Sequence, residues 1–337
     1  MKNEFKDKTI LVTGGTGTIG SELVKEILKY DPLQVRILSR DENKQYYLQE
    51  ELNYPSNVRF LIGDIRDRER LDLAFQGVDI VFHAAAMKHV PFCEYNPFEA
   101  VKTNIYGSQN VIDAALKNKV KKVIAISTDK AVDPANIMGT SKLMMEKLIV
   151  NANYYKGKSE TNLCCVRFGN IAWSNGSVLP LWKKQAEMDH EIRVTKGEMT
   201  RFFMSKSQAM QLIMQATTLS RGGEIFILKM PAIKLDNLAK IFIDKYFPKQ
   251  KINIKVVGSR AGEKIHELLF DEEINYEHVF ENDKMYIIIP QFSIYAGLKA
   301  NDLGRELKDY PNFFQADEIR SISSDDNINE KGVESII

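Results

Sequence analysis

Six short apolar runs, at residues 9–13, 34–39, 58–62, 80–83, 122–127 and 162–168, alternate with amphipathic segments at 19–30, 42–53, 68–75, 98–117 and 138–155. No other feature of the chain narrows its fold so far. Strand–helix alternation of this kind implies a parallel sheet covered by helices on both faces, an α/β fold with a doubly wound sheet. Ligands of such sheets bind outside the carboxyl ends of the strands. The motifs of the first 170 residues fall at those ends.

After about residue 170 the alternation loosens. Helical patterns at 177–189, 206–219 and 235–246, with short strands near 224–228 and 252–257, predict a smaller C-terminal lobe. The expected division is a sheet domain over 1–170, a second lobe over 171–320 and a tail over 321–337. Later strands are free to return to the sheet. The tail is polar and acidic with few apolar anchors, so it is expected to fray or to contact a partner.

Lys+Arg 46 against Asp+Glu 45 leaves a net charge of +1, which argues against nucleic-acid or membrane-surface binding. No stretch approaches ~18 uninterrupted apolar residues, and residues 1–8 are charged, so a cytoplasmic location is expected. Of the three cysteines, Cys164 and Cys165 are adjacent and Cys93 stands alone. Neither a disulfide framework nor a metal site fits that spacing, and no metal is expected.

The first run closes on Thr13-Gly14-Gly15-Thr16-Gly17-Thr18-Ile19-Gly20 and opens a helix. Gly14 permits a tight turn, Gly17 lets the backbone approach a pyrophosphate, and Gly20 allows close helix packing. The helix N-terminus adds oriented N–H groups and partial positive charge. The second run ends at Ser39-Arg40. An acidic residue there would accept from the adenosine ribose hydroxyls, whereas Ser39, Arg40 and nearby Lys44 suit a 2′-phosphate, favouring NADP over NAD. Asp64 and Ile65 follow the third run, where a carboxylate can meet the adenine amino group. Ala84, Ala85 and Ala86 follow the fourth, where small side chains leave room for a dinucleotide.

In this order, residues 13–20, Ser39-Arg40-Asp41-Glu42, Ala84-Ala85-Ala86-Met87-Lys88-His89-Val90-Pro91, residues 127–142, Arg167-Phe168-Gly169-Asn170, Thr200-Arg201-Phe202-Phe203 and Gly258-Ser259-Arg260-Ala261-Gly262-Glu263-Lys264 resemble the extended short-chain dehydrogenase/reductases. Within them the chain is most similar to the bacterial UDP-N-acetylglucosamine 4,6-dehydratases of polysaccharide and protein glycosylation, from about residue 7 to 290. The resemblance implies a Rossmann domain, a tightly held cofactor regenerated each turnover, and a UDP- or GDP-linked N-acetylhexosamine substrate. The implied reaction oxidises sugar C4, eliminates water from C5 and C6, and returns the hydride to C6, giving a 4-keto-6-deoxy sugar.

The resemblance also implies roles. Thr128 hydrogen-bonds the 4-hydroxyl, Asp129 is the acid toward the departing 6-hydroxyl, and Lys130 takes the C5 proton if burial and nearby Lys142 depress its pKa. Lys142 bridges the nicotinamide ribose. Taken alone, Asp129-Lys130 would read as a local ion pair capping a turn. Arg201 and Arg260 are the expected diphosphate ligands, with Glu263 holding Arg260 or a base or ribose hydroxyl, and Lys88 and Asn170 reaching the sugar or pyrophosphate. His89 reads better as a structural imidazole than as an acid or base. Trp173 and Trp182 either pack the lobe or line the nucleotide site.

Met138 departs from the commoner Tyr-x-x-x-Lys pattern, in which a lysine one helical turn away lowers the phenol's pKa. A thioether cannot exchange that proton. Some members of the dehydratase group are similar in carrying methionine-glycine there, and Asp129, through Thr128 or a water, is the expected substitute base at the C4 hydroxyl. A 4-epimerase is the alternative enzyme. A catalytically silent NADP-binding regulatory protein is the alternative from another class. Segments 98–117 and 138–155 are long enough to pair in a homo-oligomer. The choice of nucleotide and the configuration at C5 are left open.

Overall fold

A strand buried on both faces is apolar along nearly its whole length, and Thr9–Thr13 and Asn162–Phe168 are built that way. The computed structural model describes residues 2–195, 197–259, 262–270, 279–290, 305–316 and 322–337. A short helix α1 (Lys2–Phe5) precedes β1 (Thr9–Thr13), α2 (Thr18–Leu28), β2 (Gln34–Ser39), α3 (Glu42–Glu51), β3 (Val58–Ile62), α4 (Arg68–Phe75) and β4 (Ile80–His83). Then follow α5 (Val90–Tyr95), α6 (Pro97–Ala100), a π-helical stretch at Val101–Tyr106 and α7 (Gly107–Lys117). Strand β5 (Lys122–Thr128) runs into a 3₁₀ turn at Asp129–Ala131, then α8 (Ile137–Tyr155) and β6 (Asn162–Phe168).

The remainder comprises β7 (Asn170–Ile171), α9 (Val178–Asp189), β8 (Glu191–Val194), β9 (Thr200–Met204), α10 (Lys206–Leu219), β10 (Ile225–Leu228), β11 (Ala232–Lys234) and α11 (Leu235–Tyr246). It closes with β12 (Asn253–Val256), β13 (Val279–Glu281), β14 (Met285–Ile288), β15 (Phe314–Gln315) and α12 (Glu330–Ile336). In the main sheet the order β3-β2-β1-β4-β5-β6-β10 is parallel, and β14, β13 and β15 extend it antiparallel. The chain reverses direction across the sheet between β1 and β4, which is where such folds open a crevice for ligand.

The predicted strands and helices match to within a residue or two at most ends, and three readings need correction. Segment 98–117 is not one α-helix, because its middle is π-helical and places Asn104 inside the protein. The second lobe is smaller than 171–320, since β10, β13, β14 and β15 return to the main sheet and α10 packs on the main core. What remains has its own core around Trp182, Phe203, Leu238 and Phe242. Nor does the end of the chain fray: Val333 and Ile337 are buried in that second core, and Ser324 is fully buried. Val333 and Ile336 of helix α12, with Ile337 at its C-cap, form one apolar face about a turn long, a pattern too short to stand out in a polar sequence.

Candidate active site

Gly14 leaves β1 with φ +67°, and a Cβ there would lie 2.7 Å from Ala85. A Cβ on Gly20 would lie 2.3 Å from the Gly14 carbonyl oxygen, so the turn closes only on glycine. Helix α2 begins after exposed Gly17, which offers no side chain to its first-turn N–H groups. By contrast, α3, α4 and α8 are capped by Asp41, Asp67 and Asn136. The half-buried Thr16, Thr18 and Ile19 line this turn, and the Thr18 hydroxyl accepts from the Asn175 N–H of the second lobe (3.2 Å).

Behind the turn, Thr13 Oγ1 meets His83 Nδ1 at 2.8 Å, and His83 Nε2 meets Ser108 Oγ at 2.9 Å. Burial, helped by the Lys142 charge, pushes the imidazole down to about 3, so it stays neutral. Thr13 therefore braces β1 against β4 and reaches the Ala85 N–H (3.4 Å), with Ala84 half-buried and Ala86 exposed beyond it. Asn104 fixes the next residue of this loop by accepting from the Met87 N–H (2.8 Å) and donating to its carbonyl (3.0 Å), while its Nδ2 also reaches Ser141 Oγ (2.9 Å). Sequence reasoning did not find His83 or Asn104. A π-helical insertion, which often marks a functional site, has no pattern to read in advance.

At the adenosine end, Ser39 Oγ accepts from Gln45 (3.0 Å), and exposed Arg40 sits 3.5 Å from Asp64. Lys44 pairs with Asp41 at 3.3 Å. The Asp64 carboxylate is engaged by Arg66: Oδ2 accepts from the guanidinium at 2.9 and 2.7 Å, and Oδ1 from the Arg66 N–H at 2.9 Å. Burial would raise its pKa, and the Arg66 hydrogen bonds and charge outweigh that and hold it low. Ile65 is buried beneath, against Gly107.

The charged centre lies at the end of β5. Asp129 is fully buried; its Oδ1 accepts from Thr128 Oγ1 (2.9 Å) and Lys130 Nζ (3.0 Å). Its Oδ2 is buried and has no hydrogen-bond partner among the described residues. A second carboxylate, Glu267, brings Oε1 to 3.4 Å from Lys130 Nζ, and its Oε2 is likewise buried and unpartnered. Two orphaned carboxylate oxygens beside one ammonium are costly unless a ligand or a proton completes them.

The expected depression of Lys130 is reversed. Desolvation would lower its pKa, yet the charges of Asp129 and Glu267 outweigh that and the opposing Arg201, and the ammonium is held above its ordinary range. Lys142 is itself buried and lowered to about 8 by desolvation, with Nζ on the Ile126 carbonyl (2.5 Å) and near Met145 Sδ (3.2 Å). Met138, one turn earlier on α8, is 4% exposed and packed with Cys93, Ala100, Met87 and Val90. It serves the junction of α5 and α8.

The substrate-side residues divide. Arg201 is 8% exposed and donates to the carbonyls of Thr200 (2.7 Å), Lys264 (3.0 Å) and Ile265 (3.1 Å), so its guanidinium anchors segment 262–270 rather than standing open to a diphosphate. Arg260 lies outside the described residues. Glu263 and Asn170 are half-buried, Asn170 on β7 beside β9. Lys88 crosses to the second lobe and donates to the Asn175 carbonyl (2.9 Å). His89 is exposed, packs edge-on against Phe92 and lies against Gly176. Both tryptophans pack the lobe: Trp182 is buried and donates to Arg193 O (2.8 Å), and Trp173 donates to Ile337 O (3.1 Å).

Segment 262–270 is strapped over the β5–α8 loop. Asn136 Nδ2 donates to Gly262 O (2.8 Å) and Lys264 Nζ to Val132 O (2.8 Å). A family model described as polysaccharide biosynthesis protein matches residues 10–290, which span both the glycine turn and this charged centre. The chain belongs to that family.

An uncharacterized membrane protein of Methanocaldococcus jannaschii is 49% identical over 86% of this chain and 88% of its own. A UDP-N-acetylglucosamine 4,6-dehydratase (inverting) of Campylobacter jejuni is 45% identical, covering 86% of this chain and 85% of its own. A UDP-glucose 4-epimerase of Rickettsia canadensis is 44% identical over 80% and 79%. The X-ray structure of Pen from Bacillus thuringiensis superposes with a TM-score of 0.90 at 43% identity, covering 99% of this chain and 98% of that one. The chain is thus an extended short-chain dehydrogenase/reductase resembling the dehydratases, with a Rossmann-like sheet. Among the described residues no helix is long and apolar enough to cross a membrane, and no cluster of His, Cys, Asp and Glu could hold a metal.

Proposed function

We propose that this family member is an NADP-dependent UDP-N-acetylhexosamine 4,6-dehydratase acting in the cytoplasm on a substrate for surface glycan or glycoprotein synthesis. The observation that carries this reading is the Asp129-Lys130 pair at the end of β5, its carboxylate fully buried and Asp129 Oδ2 without a hydrogen-bond partner among the described residues. An epimerase needs proton traffic at C4 alone, whereas an elimination needs a second acid/base group beside the first.

The glycine turn fits a dinucleotide. The close approach of Gly14 to Ala85 and the uncapped start of α2 leave a backbone cradle that any Cβ at Gly14 would obstruct. Residues 14–20 and Ala84–Ala86 would hold the pyrophosphate and nicotinamide half, and exposed Arg40, with Ser39 and Lys44, the ribose phosphate. When bound, the nicotinamide accepts a hydride from C4 and supplies it to C6. The chain's residues move the protons. Thr128 orients the 4-hydroxyl, and Asp129 Oδ2 receives its proton. The resulting carboxyl group then protonates the departing 6-hydroxyl, while Lys130 removes the C5 proton.

The test is incubation of purified protein with UDP-GlcNAc and GDP-GlcNAc in heavy water, with mass spectrometry and NMR of each product. Loss of one water from the UDP sugar, with deuterium at C5, is the expected result. A product of unchanged mass with inverted C4 would establish epimerisation instead.

A further inference from the structure

Lys130 presents a difficulty for any elimination in which it acts as the base. It sits between two carboxylates that hold it as an ammonium, and an ammonium cannot take a proton. Resting on the dehydratase reading, we propose that Glu267 is a positioning residue acting through Lys130: it accepts the Lys130 proton so that the amine can remove C5–H, and returns that proton when C5 is reprotonated.

The geometry has three parts. Glu267 Oε1 is 3.4 Å from Lys130 Nζ, a distance that a small side-chain movement converts into a direct hydrogen bond. Its second oxygen is buried without a hydrogen-bond partner among the described residues, so a proton on this carboxyl group would remove an uncompensated charge. Its backbone is held on both sides: the Glu267 N–H donates to Ser324 Oγ (2.9 Å), and its carbonyl accepts from the Ser324 N–H (2.8 Å). Ser324 in turn is fixed to Thr200 Oγ1 at 2.6 Å. The charged groups that face Lys130 are Asp129 on its own turn, Glu267 from segment 262–270, and Arg201 from β9, whose Nε is 3.9 Å from Glu267 Oε1.

Protons balance around the cycle. In the resting site Asp129 and Glu267 are ionised and Lys130 is an ammonium. The C4 hydroxyl proton passes to Asp129 Oδ2 as C4 is oxidised. With Asp129 neutral, one of the two anions holding the Lys130 charge is gone, and the proton moves from Nζ to Glu267 Oε1. The free amine then takes the proton from C5, the electron pair of the C5–H bond forms the C5–C6 double bond, and the C6–O bond breaks. The oxygen leaves as water with the Asp129 proton. After reduction at C6, Lys130 delivers its proton to C5 and recovers one from Glu267. All three side chains end as they began, and one water has been lost.

Two measurements on the full chain test this. The first is the pH profile of Lys130 acylation by acetic anhydride, read by peptide mass spectrometry with Lys142 as internal reference. Removing a carboxylate ~4 Å away should lower the Lys130 midpoint by about 1 pH unit or more in Glu267→Gln, and by less in Glu267→Asp, with Lys142 unmoved. The second separates the chemical steps with UDP-GlcNAc. In Glu267→Gln, sugar-dependent reduction of bound cofactor should stay within about 3-fold of wild type, while kcat for water loss falls ~100-fold with little change in KM, and Glu267→Asp should recover part of the loss.

A Lys130 midpoint unmoved in both variants overturns the inference, whatever the substrate. So does an equal fall in cofactor reduction and water loss. Wild-type protein that removes no water from either nucleotide sugar would sink the dehydratase reading instead, and the acylation profiles would still decide whether Glu267 controls the Lys130 charge.

Discussion

Asp129 is the residue on which the chemistry turns, because one of its oxygens is committed to Thr128 and Lys130 and the other is buried with no hydrogen-bond partner among the described residues. Asp129→Asn keeps the shape and loses the basicity. Sugar-dependent cofactor reduction and dehydration should both fall by about 10³-fold or more in stopped-flow absorbance and product assays. Cofactor reduction persisting in that variant would assign the C4 base to another group. Arg40 provides the corresponding test at the other end of the cofactor. Its guanidinium is exposed and only loosely paired with Asp64, so it is available to a 2′-phosphate, for which a guanidinium is well shaped. Arg40→Ala should weaken NADPH binding about 10-fold or more while leaving NADH binding nearly unchanged, as measured by nucleotide fluorescence titration. Equal losses for both nucleotides would remove Arg40 from cofactor discrimination.

At the scale of elements, the strands and the glycine turn were legible because their constraints are local. A strand buried on both faces must be apolar throughout, and a turn with φ +67° beside a 2.7 Å backbone approach must be glycine. Asp129-Lys130 was singled out through the resemblance, since by itself a charged pair ending an apolar run reads as a local ion pair capping a turn. Glu267 was not. It stands among apolar Ile265, Leu268, Leu269 and Phe270 with no motif to single it out, and only the strap formed by Arg201, Asn136, Lys264 and Ser324 carries it to a lysine far away in sequence. Ser324 was missed because it sits in a segment whose composition looks disordered, although it is the point where that segment is stitched to β9. Arg167 adds a further tie, pairing with Glu146 of α8 at 2.8 Å and donating to Leu269 O at 2.6 Å. Removing the Ser324 hydroxyl leaves the buried Glu267 N–H unsatisfied. Ser324→Ala should therefore cost about 1–3 kcal/mol in urea unfolding and lower kcat for water loss more than cofactor reduction. A variant as stable and as active as wild type would show that the strap needs no such pin.

For the molecule as a whole, the site sits where two cores meet: the sheet brings Asp129 and the glycine turn, and β9 with the end of the chain fixes the segment that brings Glu267. The sheet side rests on a buried polar column, Thr13–His83–Ser108, and that column gives whole-molecule stability a pH dependence with a definite sign. His83 is held neutral, its pKa lowered to about 3 by burial and by Lys142, whereas in the unfolded chain it titrates near 6.5. Between those values the unfolded state binds one more proton than the native state. Stability from this residue is therefore fully present above about pH 6.5 and is lost as pH falls toward 3, at up to about 1.4 kcal/mol per pH unit. Carboxylates contribute over part of the same range, so the comparison must be with a variant that cannot titrate. His83→Gln should be less stable than wild type at pH 7, because the geometry of both hydrogen bonds changes. Its unfolding free energy should then decline more slowly between about pH 6 and 4, by close to the slope of one proton. Urea unfolding at several pH values measures this directly. Parallel curves for the two proteins would mean that His83 takes up its proton without unfolding the sheet, and that the column beneath the glycine turn can carry a charge.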